Sequence, residues 1–154
     1  MDLNRSDIKS AILQSQHCQR NWNLSKQIPD EDIKTIVEAV TQCPSKQNVA
    51  HYSVNVITDR NIIEQIHEHT RGFATRFDPY EAETNSQVLA NVLLIFEEAP
   101  IDISDNVNRS DETRLIASGQ ADEGTFNLIK RDRYMSVGIA SGYANIISNM
   151  MGYN

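Results

Sequence analysis

Two short polar stretches hold the side chains of this chain that could do chemistry. The first is Gln16-His17-Cys18-Gln19-Arg20, at the end of the opening helical pattern. An arginine fork with an imidazole and a thiol beside it has the make-up of an anion pocket, because guanidinium donors match phosphate oxygens in pairs. The second is Pro44-Ser45-Lys46-Gln47-Asn48, a connection between two apolar elements. Asn48 both donates and accepts, which suits a heterocycle with alternating carbonyl and N–H groups. Rigid scaffolds display binding groups on such connections. Each stretch also has a plainer explanation. His17 can serve only to complement a helix C-terminus, Arg20 can be a solvated charge, and a Pro-Ser-Lys-Gln-Asn run can be an ordinary solvated turn. Singly, each favours the plainer explanation; flanking one helix in this order, they form a pattern.

Other chemistries find less support. His67-Glu68-His69 has the composition of a metal pair, but residues two apart on a helix point about 200° away from each other. The sequence holds no Gly-x-Gly-x-x-Gly and no P-loop. Nothing marks a nucleophile elbow, and no acid–base constellation can be assembled. No catalytic residue or metal ligand is assigned.

The elements that would position the two stretches are readable from periodicity. Ser6 is the expected cap of a first helix running to about His17, with Ile8, Ala11 and Ile12 on one face. A second helix opens at Pro29, with Asp30, Glu31 and Asp32 complementing its positive end. Its apolar positions Ile33, Ile36, Val37 and Val40 lay one stripe on a core. Pro44 then excludes the helical conformation from the residue before it. Alternation at Tyr52, Val54 and Val56 predicts a strand to Thr58, and Asp59 opens a short helix with Ile62, Ile63 and Ile66. Residues 71–84 read as a long loop, and Ser86 to Asn91 as a brief helical segment. The run Val92-Leu93-Leu94-Ile95-Phe96 predicts an inner strand, buried on both faces. Helical character resumes near Glu112, pauses around Gly119 to Gly124, and continues to the end. In that last helix Gly138, Ala140, Ser141, Gly142 and Ala144 allow another backbone to approach closely.

A length of 154 residues suits one domain with a real core. With 40% hydrophobic and 23% charged residues the composition is globular. A net charge of −7 disfavours nucleic acid; Lys130, Arg131 and Arg133 are interleaved with Asp132. The two cysteines, Cys18 and Cys43, lack metal spacing and fit a reducing compartment. The N-terminus lacks a signal-peptide run and no stretch is long enough to span a membrane. A cytoplasmic location is expected.

The order of these segments resembles the flavin-dependent nitroreductase family. Gln16 to Trp22 stands where the family has an Arg/His-Ser-x-Arg/Lys run, and Ile28-Pro29-Asp30-Glu31-Asp32-Ile33 matches an Ile-Pro-x-Glu-x-Ile helix start. Pro44 to Tyr52 is similar to Pro-Ser-Ser-x-Asn-x-Gln-Pro-Trp, followed by a strand ending in Thr58-Asp59. Asn85 to Asn91 resembles the third flavin-contacting segment, and Ser136 to Tyr143 the start of the long central helix. The resemblance implies an α+β fold: a three-layer α/β/α sandwich with a mostly antiparallel sheet and a long central helix, a single domain over 1–154. It implies a homodimer with FMN at the subunit interface, and no catalytic acid or base. It also implies NAD(P)H as co-substrate and a nitroaromatic, quinone or similar small-molecule electron acceptor. Carried over by position, Gln16, His17, Cys18 and Arg20 hold the phosphate and ring edge. Pro44, Ser45, Lys46 and Asn48 reach the flavin from the other subunit, and Asn85 and Gln87 bond the ring or ribityl chain. Gln16 and Cys18 depart from the family's Arg and Ser, and Ala50-His51 from its Gln-Pro. The chain ends at Asn154, before the C-terminal strand and flavin-contacting segment the family leads one to expect. A flavin-binding scaffold without turnover and a cofactor-free helical interaction protein are the alternatives.

Overall fold

The computed structural model describes residues 4–17, 21–45, 48, 50–72, 84–98, 114–115 and 118–153. Helix α1 spans Arg5–Gln14. Its cap is Asn4, not Ser6. Asn4 Oδ1 accepts the backbone N–H groups of Ser6 and Asp7 at 2.8 and 3.1 Å, and Asp7 reaches back to the Asn4 N–H. This reciprocal box satisfies more of the orphan donors than a lone Ser6 hydroxyl can. The helix also stops short of His17, because the Ser15 hydroxyl donates to the Ile12 carbonyl at 2.8 Å and competes with the helical ladder.

Helix α2, Asp30–Thr41, follows the expected stripe: Ile36 and Val40 are buried, Ile33 and Val37 half-buried. Strand β1, Tyr52–Ile57, ends one residue before Thr58. Helix α3, Arg60–Glu68, is capped by Asp59 Oδ1 on the Asn61 N–H at 2.8 Å, and Ile63 is fully buried beneath it. A single 3₁₀ turn, Ser86–Leu89, leads into β2, Leu93–Glu98. Helix α4 runs from Glu123 to Met150. It begins inside the expected pause: Asp122 Oδ1 accepts the Thr125 N–H at 2.7 Å, which nucleates the first turn despite Gly124. Gly119, with φ +69°, terminates the preceding turn.

The two strands pair antiparallel, Tyr52 opposite Glu98 through Ile57 opposite Leu93. The reading of β2 as an inner strand is corrected. Among the described residues it pairs with β1 alone, and Ile95 is 40% exposed. Its helix-facing residues, Leu94 and Phe96, do pack inward with Val54. Helices α2 and α4 lie antiparallel on that face. Val40, Cys43, Tyr52 and Ala140 form the dry centre, and at the other end the Tyr153 hydroxyl donates to Asp32. Helix α1 joins α4 through Asn145 Nδ2, which donates to the Ser15 carbonyl at 2.7 Å. The described architecture is α+β, with four α-helices and a two-stranded sheet.

Arg133 is buried and pairs with Glu98 Oε1 at 2.6 Å, tying α4 to the end of β2. Within one protomer the small-residue segment of α4 is packed on one face only among the described residues. Ala140 is fully buried, but a Cβ added at Gly138 or Gly142 would meet nothing within 4 Å, and Ile139 and Tyr143 are exposed.

Candidate functional site

The Pro44–Asn48 connection rises from the dry end of the sheet, and three groups fix its base. Cys43 Sγ donates to the Val40 carbonyl at 3.1 Å and lies 3.1 Å from the Tyr52 hydroxyl. That hydroxyl donates to the same carbonyl at 2.6 Å. The last turn of α2 and the first residue of β1 are thereby locked together. Burial first, and the Cys43 contact second, push the Tyr52 phenol well above its ordinary range. The phenol stays protonated and keeps donating. Sequence reasoning missed this lock, which joins residues nine apart through the end of a helix. Above it Pro44 is exposed and Ser45 half-buried. Asn48 is exposed with φ +57°, a conformation asparagine tolerates better than most residues, and its N–H donates to the Ser45 carbonyl at 3.1 Å. Lys46 lies outside the described residues.

The other candidates lie on the chain after α1 and on the turn that leads into β2. Gln16 and His17 are exposed just beyond α1; Cys18 and Arg20 lie outside the described residues. Trp22, a little farther on, donates from Nε1 to the Ser86 carbonyl at 2.9 Å. Asn91 Nδ2 donates to the Asn23 and Lys26 carbonyls at 2.9 and 2.5 Å. These bonds bring the chain following the first cluster against the turn that carries Asn85 and Gln87. The turn is held from beneath by Arg60, whose Nη1 donates to the Leu89 and Ala90 carbonyls, both at 3.2 Å. Thr70 Oγ1 accepts the Asn85 N–H at 3.0 Å. Asn85 Oδ1 accepts the Gln87 N–H at 3.0 Å, so its Nδ2 donor is left without a partner among the described residues. Trp22, Arg60 and Thr70 are the supporting residues the sequence reading did not single out.

Because Tyr52 faces Glu98 and Ile57 faces Leu93, the ends of the ladder are about 17 Å apart. The chain from Asn48 enters the sheet at Tyr52, at one end, and the chain from the Ser86–Leu89 turn enters it at Leu93, at the other. The donors at the Asn85 end fit the carbonyl edge of a neutral heterocycle. A phosphate needs a cation, for which the nearby sequence offers Arg20 and, from the other group, Lys46.

Among the described residues no three His, Cys, Asp or Glu side chains come together as a metal set. His69 falls at the C-cap of α3, its Nδ1 2.8 Å from the Gln65 carbonyl. No helix among the described residues is long and apolar enough to cross a membrane. The sequence profile of the Nitroreductase family matches residues 13–150. That span takes in both polar stretches, the Asn85 turn and the whole of α4. No curated protein matches the chain.

Proposed function

This chain belongs to the nitroreductase family, whose members are flavin-dependent oxidoreductases, and on that premise we propose that it works as a homodimer with FMN held between subunits. The reaction is hydride transfer from NAD(P)H to a nitroaromatic, quinone or similar acceptor; the flavin supplies the redox chemistry when bound. What supports this reading is the family match over residues 13–150, which takes in both polar stretches and the Asn85 turn. In the proposed homodimer the Pro44–Asn48 connection reaches the flavin held by the other subunit. The uncovered face of α4, with open space at Gly138 and Gly142 and exposed Ile139 and Tyr143, offers a surface for the second copy.

In this arrangement Arg20 neutralises the flavin phosphate, with His17, Cys18 and the neutral Gln16 beside it. Asn85 Nδ2 donates to a ring carbonyl, and Gln87 contacts the ring or ribityl chain. From the second subunit Pro44 and Ser45 cover the ring, Lys46 adds positive charge, and Asn48 pairs with a ring edge. None of these residues exchanges a proton with the acceptor; they bind, orient and exclude water.

The test is the visible spectrum of the protein after FMN is added and the mixture desalted. Retained flavin bands, lost in Arg20→Ala and Asn48→Ala, are the expected result; a protein that retains no FMN overturns the proposal. A second reading, a flavin binder without turnover, is favoured by the loss of a charge at Gln16 and of a hydroxyl at Cys18. Bleaching of the bound flavin by NAD(P)H, followed by reoxidation on adding a quinone, excludes it.

A further inference from the structure

The turn that carries Asn85 and Gln87 is gripped at both ends from a single helix. At the first residue of α3, Arg60 Nη1 donates to the Leu89 and Ala90 carbonyls, where the turn closes. Two residues beyond the last, Thr70 Oγ1 accepts the Asn85 N–H at 3.0 Å, where the turn opens. A helix is stiff along its axis because each residue is bonded to the next turn. The two grips therefore hold the turn at a fixed span, and between them Trp22 Nε1 donates to the Ser86 carbonyl.

The bonds also decide which atom Asn85 presents. The Thr70 hydroxyl commits its proton to the His67 carbonyl at 2.7 Å, so it meets the Asn85 N–H with a lone pair. Asn85 Oδ1 in turn accepts the Gln87 N–H at 3.0 Å. What remains is Nδ2, which has no partner among the described residues and is not sealed from solvent. Held this way, Asn85 acts on a ligand as a donor, which suits a ring carbonyl and not a ring N–H.

Arg60 shows that the grip is more than a stabilising contact. Its Nε pairs with Glu64 at 3.0 Å, which keeps the guanidinium from turning. Its Nη2 is buried with no partner among the described residues. That desolvation cost would not fall on an apolar side chain of similar length. Local costs of this kind are characteristic of functional sites.

We propose that Thr70 and Arg60 are positioning residues for flavin binding. Without touching the flavin themselves, they hold the turn so that Asn85 Nδ2 is aimed at a ring carbonyl. The inference rests on the flavin reading above and adds to it two residues outside every segment assigned to the cofactor.

The experiment is an equilibrium titration of the full chain with FMN, followed by flavin fluorescence. Thr70→Val keeps the shape and loses the lone pair; it is expected to raise the Kd about ten-fold, the effect of one hydrogen bond. Thr70→Ser, which keeps the hydroxyl, should restore the affinity of the unaltered chain. In an Asn85→Ala background the Thr70→Val change should alter the Kd by less than about two-fold, because the group it positions is gone. Arg60→Met should weaken FMN several-fold and lose its effect in the same background. If Thr70→Val does not fold, Arg60→Met and its combination with Asn85→Ala decide. A merely structural role would lower the melting temperature and leave the Kd of the folded chain unchanged. Equal affinity in Thr70→Val and the unaltered chain overturns the proposal alone and leaves the flavin reading standing. A Thr70→Ser chain as weak as Thr70→Val, or an undiminished effect in Asn85→Ala, also overturns it. An unaltered chain that binds no FMN overturns the flavin reading and this inference with it.

Discussion

The two ends of the sheet are built in opposite ways. At the Tyr52 end, Val40, Cys43, Tyr52 and Ala140 close into a dry cluster, and buried short-range bonds lock the base of an exposed connection. At the Leu93 end the chain is held by polar bonds between segments far apart in sequence, Trp22 to Ser86 and Asn91 to Asn23, beside a cavity of about 500 Å³. One end is a rigid platform that displays groups outward. The other is a loosely filled frame whose candidate groups, Asn85 and Gln87, are half-buried. In the homodimer proposed above, a presented loop from one copy would meet a receiving pocket on the other.

The largest effect should come from packing. Val40→Ala, at a fully buried position, is expected to cost about 2 kcal/mol in urea unfolding. Ile33→Ala, whose side chain already borders the void, should cost about 1 kcal/mol or less despite removing more atoms. Equal costs per atom removed would erase the distinction between the two ends.

A smaller effect is expected at the lock. Tyr52→Phe removes its hydroxyl bond and should cost about 1 kcal/mol at neutral pH. It should also change the alkaline limb. With the folded phenol raised above its ordinary value of about 10, the unfolded chain releases its proton first as pH rises. This contribution to stability is therefore whole below about pH 10 and falls above it. Unfolding curves from pH 8 to 11 should show a shallower decline in Tyr52→Phe. An unchanged slope would mean the hydroxyl is not held as described.

The smallest effect on stability should fall on the presented loop. Asn48→Gly suits the positive φ and should shift stability by no more than about 0.5 kcal/mol. It should nevertheless weaken FMN retention several-fold in a desalting assay, because the carboxamide is gone. A large loss of stability would show Asn48 to be structural.

Much of this arrangement is legible from residue pattern. The Ile33, Ile36, Val37 and Val40 stripe specifies α2 and its buried face, and Asp59 marks the start of α3, because period and cap are local properties. The ends of α1 escaped because Asn4 outcompetes Ser6 as a cap and the Ser15 hydroxyl takes a helix carbonyl. The apolar run of β2 announces a strand but not its neighbours. Of the candidate site, the polar stretches stand out by composition. The bonds that support them, Trp22 to Ser86 and Arg60 to the Leu89 and Ala90 carbonyls, do not, because they join segments far apart in sequence. The Cys43–Tyr52 lock and the Thr70–Asn85 bond are likewise products of packing, invisible in residue spacing alone.

The measurement that tests the divided site most directly is complementation between two defective chains. Asn48→Ala and Asn85→Ala are each expected to lose FMN retention when expressed alone. Co-expressed, they form mixed dimers in which one site carries both defects and the other carries none, because each site draws Asn48 and Asn85 from different subunits. With random pairing about a quarter of all sites should regain flavin, half of the dimers having one intact site each. Retention no higher than in either variant alone would mean that Asn48 and Asn85 act within one subunit or on no common ligand, and would contradict the account.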